Sequence, residues 1–431
     1  MGFSHRWVGS EQSEAVVLAR LNSYAAGRHE LETYRKRFAE DKRARDGDFL
    51  LLERDGRVVG TTTSLSMTML VRGMPVSCQG VAWVGTVRTE RRKAKVVAGG
   101  VKEPGMATRL MRLTLDRARE RGEIVSALMP FRATFYEHFG YGFAEQRTDW
   151  TIPLSILPEA DTGTIRDYAD ADLPMVKELR RDVARSGQCD FDRDDQAWKI
   201  ELSDANDGFA IVDYDASHGP VDPSGRSGPS EASGGRLNGY CVFDGTIEDG
   251  LRTVTAHEWF CRDQAAFLRM LAFFGSLKDQ YARLKLTLPG DMPVHRLLKE
   301  TQIPHRNVAH SVAAGKPYTR MQVRILDHAR FVAAVPLPNH IRGRVAVSIH
   351  ECEGGETKFE LEAEGGRGVI RPGATGGQPF SCADSLWASV VCGDIPASQL
   401  LRLGLASGSA AAAAVLDGYS VGPVPFAREY F

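Results

Sequence analysis

The sequence predicts an α/β fold: two successive mixed-sheet domains followed by a third α+β unit. Three observations lead there. Residues 1–150 alternate short apolar strands with amphipathic helices, the order of elements then repeats in degenerate form, and a last stretch has its own hairpin and helices. In order, residues 11–25 read as a helix with Val17, Leu18, Leu21 and Ala25 on one side. Strands at 49–53 and 58–66 flank Asp55-Gly56, a hairpin signal, and a third strand spans 76–87. A helix covers 106–121 and stops at Gly122. A buried strand at 124–129, a brief helix at 134–139 closed by Gly140, and a strand at 143–153 complete the first domain, 1–153.

The second domain, 154–317, has a helix around 172–184, strands at 209–214, 240–243 and 252–260, and a long helix at 263–277. Its order echoes the first, as a degenerate internal repeat would. Residues 215–236, dense in Gly, Ser, Pro and Asp, read as a disordered hairpin insertion. The third domain, 318–431, opens with a strand at 321–326. It continues with a hairpin of 345–350 and 358–362, and helices at 386–391, 397–403 and 408–416. The chain ends in an apolar, aromatic run to Phe431, which is able to pack where a polar tail would fray.

Composition narrows the function. There are 54 basic and 55 acidic residues in 431, a net charge of −1, so nothing draws the chain as a whole to nucleic acid or an anionic membrane. No apolar run approaches the ~20 residues of a membrane-spanning helix. The N-terminus, Met1-Gly2-Phe3-Ser4-His5-Arg6, lacks the apolar core of a secretion signal. Seven scattered cysteines form no C-x-x-C pair, which argues against a zinc ribbon or a disulfide framework. A cytoplasmic protein with reduced thiols and no metal is the expectation.

Chemistry concentrates in residues 81–142. A strand ending Val84-Gly85-Thr86-Val87 runs into a basic turn with Arg88, Arg91, Arg92 and Lys93, and a helix starts after Gly105. Backbone N–H groups at a helix N-terminus beside arginines make a seat for a pyrophosphate, and glycine admits close approach. A solvated basic turn is the plainer reading of the same residues. Tyr136 sits on the short helix beyond the buried strand, where a phenol can give a proton to a departing thiolate. Phe135, Phe139 and Tyr141 read as core aromatics, and Tyr136 alone would share that reading.

Residues 84–93, 105–111, the segment Phe135-Tyr136-x-x-Phe139-Gly140-Tyr141-Gly142, and the three-unit plan together resemble the GNAT acetyltransferases, specifically the Eis-like (enhanced intracellular survival) N-acetyltransferases. The resemblance implies tandem GNAT-like domains, the second degenerate, and a sterol-carrier-like third domain; the second has no comparable basic turn near Cys261-Arg262-Asp263, so no cofactor is expected there. It implies acetyl-CoA as co-substrate, with Gly85, Thr86 and Val87 at the thioester. Arg92, Lys93, Gly105, Met106, Ala107 and Thr108 would meet the pyrophosphate, and Phe131 and Arg132 would line the cofactor. Tyr136 matches the general acid, and the terminal carboxylate of Phe431 matches the general base. The implied acceptor is a primary amine, as in a polyamine, an aminoglycoside or a lysine side chain, and the implied assembly is a homohexamer. One departure stands out: residues 94–104 interrupt the family's compact basic turn, and Gly99-Gly100 with Pro104 suit an outward loop. Two alternatives stay open, a catalytically silent binding or scaffold protein and a carrier of apolar ligands through the third domain.

Overall fold

The structure is a computed structural model that describes all residues except 1, 41–43, 46, 92–103, 196, 199–207, 215–235, 301–311 and 374–375. The expected insertion at 215–236 therefore lies, but for Arg236, outside the described residues. The chain divides into two units: Met1–Glu145 with Gln188–Ile200 and Arg320–Phe431, and Gln146–Gly187 with Glu201–Thr319.

The first unit begins with β1 (Phe3–Val8), α1 (Ser13–Tyr24), α2 (Leu31–Glu40), β2 (Phe49–Arg54), β3 (Arg57–Val71) and β4 (Met74–Thr86). Then come α3 (Met106–Glu120), β5 (Val125–Leu128), α4 (Ala133–Glu137) and β6 (Gly142–Phe143). Asp55 and Gly56 both take positive φ, 50° and 77°, the type I′ turn whose twist suits a hairpin. Arg72 and Gly73 do the same between β3 and β4, with φ of 51° and 79°. On α3, Met106, Leu110, Met111, Thr114, Leu115 and Ala118 are buried, one helical face laid on the sheet.

The second unit opens with β7 (Arg147–Pro153), β8 (Ile165–Asp167) and α5 (Leu173–Ser186). The chain then revisits the first unit through β9 (Asp190–Phe191). The second unit resumes with β10 (Phe209–Tyr214), β11 (Leu237–Glu248), β12 (Leu251–Cys261), α6 (Gln264–Ser276), β13 (Arg283–Pro289) and β14 (Ala314–Tyr318). Its sheet runs β14-β7-β13-β12-β11-β10-β8 around a core of Ile152, Val254, Phe267, Met270, Phe274 and Leu284.

The last part of the chain, in the first unit, holds β15 (Gln322–Ile325), α7 (His328–Ala334), β16 (Gly343–His350), β17 (Glu356–Glu364) and β18 (Arg367–Pro372). It ends with β19 (Gln378–Ala383), α8 (Asp384–Val391), α9 (Ala397–Arg402), β20 (Ser407–Gly408) and α10 (Ala410–Leu416). Strand β15 does not stay with these neighbours. It pairs with β5 on one side and β6 on the other, so the first sheet reads β1-β2-β3-β4-β5-β15-β6, with β9 on β3. Val76, Cys78, Val125 and Ala127 of that sheet share one core with Phe331, Phe380, Trp387 and Leu400. That shared core is the physical reason residues 320–431 group with the first 145.

The single strand expected at 143–153 is two. The chain breaks at Ala144-Glu145, sending β6 to the first sheet and β7 to the second. Among the described residues no helix is long and apolar enough to cross a membrane.

Candidate active site

Two departures from regular pairing open the first sheet at β4. Its parallel ladder with β5 runs from Cys78–Val125 to Val81–Leu128 and stops, while β4 continues to Thr86. On the other side, the register with β3 jumps from Thr63–Ala82 to Thr61–Gly85. Trp83 and Val84 thus oppose one residue, Thr62, in a bulge, and Trp83 takes φ of 56°. Trp83 and Val84 have no ladder partner in either β3 or β5. A bulge of this kind locally breaks the regular ladder.

Gly85 follows directly. A Cβ there would come within 2.9 Å of Ser23 and Tyr24 at the end of α1, so only glycine lets that helix close on the strand. Thr86 offers its carbonyl to Arg91 Nε at 3.2 Å, and Arg91 also reaches the Ser23 carbonyl at 2.6 Å. Arg91 therefore ties β4 to α1. The Val87 N–H is donated to the Val59 carbonyl at 3.0 Å. Expected as part of the thioester set, Val87 has its amide committed to the fold.

The start of α3 differs from a self-capped helix. Gly105 is extended, with φ −63° and ψ 162°; no side chain caps the first turn, and no acidic residue lies in it. Among the described residues, nothing lies within 4 Å of where a Gly105 Cβ would be. The N–H groups of the first turn, Met106 to Thr108, point the positive end of the helix into that space. The Met106 side chain is buried with Leu50, Leu52, Val59 and Leu110, so only its backbone is available to a ligand. Ala107 and Thr108 are half-buried. Arg92 and Lys93, and the interruption 94–104 up to residue 103, lie outside the described residues.

Tyr136 is buried on α4 among Val81, Met111, Leu115, Leu128 and Tyr141, where the β4–β5 ladder ends. Its ring meets Phe135 edge-on at 4.9 Å and Phe131 at 5.8 Å. Burial pushes its hydroxyl up to about 12. Phe131 stands 76% exposed, an apolar ring in solvent, and Arg132 beside it is also exposed. Two close approaches from the last part of the chain brace the turn after this helix. Arg324 donates to the Phe139 carbonyl at 2.5 Å, and Gly140 leaves no room for a Cβ beside Asp384 Oδ2, 2.5 Å away.

The C-terminal residues run along the opposite face of the same sheet. The Phe431 ring lies against Gly80 of β4 and meets Phe191 edge-on at 5.1 Å. Nearby, a cleft of about 270 Å³ is lined by Leu65, Ser66, Met67, Thr68, Asp192, Asp194, Ala197 and Glu429. Asp194 pairs with Arg45 at 2.9 Å, and Glu429 with Arg193 at 2.5 Å. No described residue pairs with the Asp192 carboxylate through its side chain. Sequence reasoning missed Asp192, Asp194 and Glu429. The acidic run from Asp190 to Asp195 was a signal, but nothing local says that it returns to the first sheet.

The second unit repeats the scaffold with its helix terminus capped from within. The β12–β13 ladder is also parallel and ends early, at Ala256–Leu286, and β12 also bulges, at His257. The helix that follows, α6, starts after Asp263, whose own carboxylate accepts the Ala266 N–H at 2.8 Å. An anion already occupies that terminus. Among the described residues no cluster of His, Cys, Asp and Glu is placed to hold a metal.

Two family models match, each described as an acetyltransferase (GNAT) domain, one over residues 10–144 and one over 191–325. An uncharacterized N-acetyltransferase of Streptomyces avermitilis is 31% identical over 101 residues, 23% of this chain and 22% of that protein. The aligned part is thus under a quarter of that relative's length. A GCN5-related N-acetyltransferase from Anabaena variabilis superposes with a TM-score of 0.78 at 18% identity, covering 100% of both chains. Eis1 from Mycobacterium abscessus gives 0.73 at 20% identity, again over 100% of both. At such identities the two structural likenesses speak for the fold alone.

Proposed function

Starting from a chain that carries two GNAT acetyltransferase domains, we propose that it transfers the acetyl group of acetyl-CoA to a primary amine by direct attack, in its first domain. The observation that carries this reading is the opened β4–β5 pair. Tyr136 is buried against Val81 and Leu128 where that ladder stops, the helix that packs on the sheet starts uncapped after Gly105, and the Phe431 ring lies against Gly80 of β4.

The residues present suit the co-substrate. The first turn of α3 supplies unshared amides to a pyrophosphate, Gly105 leaves room for it, and the exposed rim of Phe131 offers an apolar surface. Arg92, Lys93 and Arg132 belong to the same seat in this reading. Acetyl-CoA brings an activated thioester. The chain has to orient it, take a proton from the amine and return one to the thiolate.

Tyr136 is assigned the last task. With its hydroxyl pushed up to about 12, full transfer to a thiolate whose parent thiol sits at about 8.5 is uphill by about 5 kcal/mol. A thiolate expelled into the same apolar surroundings is raised by the same desolvation. In this reading Tyr136 donates its proton as the C–S bond breaks. The terminal carboxylate of Phe431 is assigned the amine's proton, directly or through water. Asp192 in the adjoining cleft favours an acceptor that arrives as a cation, such as a polyamine, an aminoglycoside or a lysine side chain. Assembly as a homohexamer belongs to the same reading and rests on the resemblance alone.

Calorimetry with acetyl-CoA, on the full chain and on a deletion of residues 94–104, tests the seat. A panel of a polyamine, an aminoglycoside and an Nα-blocked lysine, read by thiol release, tests the transfer. Binding with amine-dependent thiol release is expected. Failure of both forms to bind acetyl-CoA would overturn the proposal.

A further inference from the structure

We infer that the stretch revisiting the first unit, residues 188–194, is a clamp that sets the register of the chain terminus, with Arg193 as a positioning residue for the Phe431 carboxylate. The inference rests on the reading of that carboxylate as the base.

The stretch is itself fixed to the sheet. Phe191 and Asp190 pair with Met69 and Leu70 of β3, and the Asp192 N–H donates to the Thr68 carbonyl at 2.9 Å. Gln188 accepts from the Arg72 N–H at 3.0 Å and donates to the Cys392 carbonyl at 2.8 Å. Onto this template the tail is fastened along its length. The Phe426 N–H donates to the Gln188 carbonyl at 2.9 Å. The Arg428 N–H donates to Asp190 Oδ1 at 2.9 Å, and its guanidinium reaches Oδ2 at 3.2 Å. Arg193 Nε donates to Glu429 Oε1 at 2.5 Å, and both side chains are 2% exposed.

The tail's other edge is held as well. Ala427 N–H reaches Glu145 Oε1 at 3.3 Å, and the Arg320 guanidinium donates to the carbonyls of Ala427 and Glu429, each at 3.2 Å. Four consecutive residues, 426 to 429, thus make directional contacts. Of the two ion pairs named here, Arg193–Glu429 is buried on both sides, whereas Arg428 of the other is 20% exposed, and Glu429 lies two residues before the terminus.

Apolar packing of Phe426 and Phe431 would suffice to hold a tail down. Buried charges are costly to desolvate, and their best-attested use is fixing register. A slip of one residue would move the terminus by about 3.3 Å, the whole reach of a hydrogen bond to the amine. The Arg193–Glu429 pair forbids that slip.

The test uses the full chain as Arg193→Met/Glu429→Gln, which leaves neither charge buried alone, beside Arg193→Lys and a form with one glycine added after Phe431. Acetyl-CoA affinity, kcat and KM are measured with the best amine of the panel, with and without added imidazole. The expected double variant keeps acetyl-CoA affinity within twofold and loses at least tenfold in kcat. Imidazole restores part of that loss, and Arg193→Lys lies between. Because Glu429 also lines the cleft, kcat and rescue are the deciding readouts, not KM. If the glycine-extended chain turns over normally, the base reading falls and the clamp with it. If extension abolishes turnover while the double variant keeps kcat, the clamp alone is wrong. Loss of acetyl-CoA affinity in step with kcat would mark Arg193 as merely structural and overturn the inference too.

Discussion

The ring of Phe431 lies on Gly80: a methyl group in place of the glycine's hydrogen would come within 3.0 Å of the ring and 2.5 Å of Met67 Sδ. Met67 is flexible and can give way, so the ring is what a larger residue would push. Gly80→Ala should lower kcat about tenfold or more, leave acetyl-CoA affinity within about twofold, and cost about 1–3 kcal/mol in stability. Thiol-release kinetics, calorimetry and a thermal melt read the three quantities. An unchanged kcat would detach the terminus from the chemistry.

Tyr136→Phe isolates the assigned acid. No described residue hydrogen-bonds its hydroxyl, so removing it strands no buried partner, and stability should stay within about 0.5 kcal/mol. Turnover should fall by about 10²–10⁴ with acetyl-CoA affinity unchanged. Since burial holds the hydroxyl near 12, Tyr136 stays protonated through the working range. Any alkaline fall in kcat below pH 10 belongs to another group. Equal kcat for variant and parent would remove Tyr136 from the mechanism.

What the sequence made legible is what is local. The apolar face of α3 and the Asp55-Gly56 turn follow from period and turn chemistry, and both stand in the structure. Gly105 stands out in the sequence because the basic turn and the helix start lie within a short stretch, and Tyr136 because the resemblance singles it out among core aromatics. Arg72-Gly73 makes an equivalent turn with no Asn or Asp to announce it. The break between β6 and β7 is invisible for another reason: residues 143–153 carry no Gly and no Pro before Pro153 to punctuate them, and pattern does not say which sheet a strand joins. Non-local placement hides most. Nothing near Gln322 says that β15 separates β5 from β6, and nothing local says that the acidic residues at 190–195 come to β3 through β9. Phe431 was named only through the resemblance, and the contacts that hold its tail were not legible.

Glu123 gives the fold a pH dependence. It is buried, accepts from Ser66 at 3.1 Å, and lies 3.8 Å from Arg121; burial outweighs both and lifts its carboxyl from 4.5 to about 7. The folded state thus holds a proton that the unfolded chain has already released between those values. Stability therefore falls as pH rises from 4.5 to 7 and levels off above, by at most about 3 kcal/mol. Glu123→Gln keeps an acceptor for Ser66 and should raise the melting temperature at pH 8 more than at pH 4.5. An equal shift at both pH values would place the penalty elsewhere.

Gly105 and Asp263 stand at the same point of the two GNAT scaffolds, before α3 and α6, and only the second fills its helix terminus with its own carboxylate. Gly105→Asp transplants that cap. The backbone there is already extended, and described residues leave the Cβ free, so the fold should accept the change within about 0.5 kcal/mol. A carboxylate on the first-turn amides would compete with a pyrophosphate and repel it. Acetyl-CoA affinity should therefore drop about tenfold or more while the melting temperature holds. Gly105→Ala, which adds bulk without charge, should lose less. If calorimetry finds Gly105→Asp binding acetyl-CoA as tightly as the parent, the terminus of α3 is not the pyrophosphate seat, and the site has to be sought elsewhere along β4.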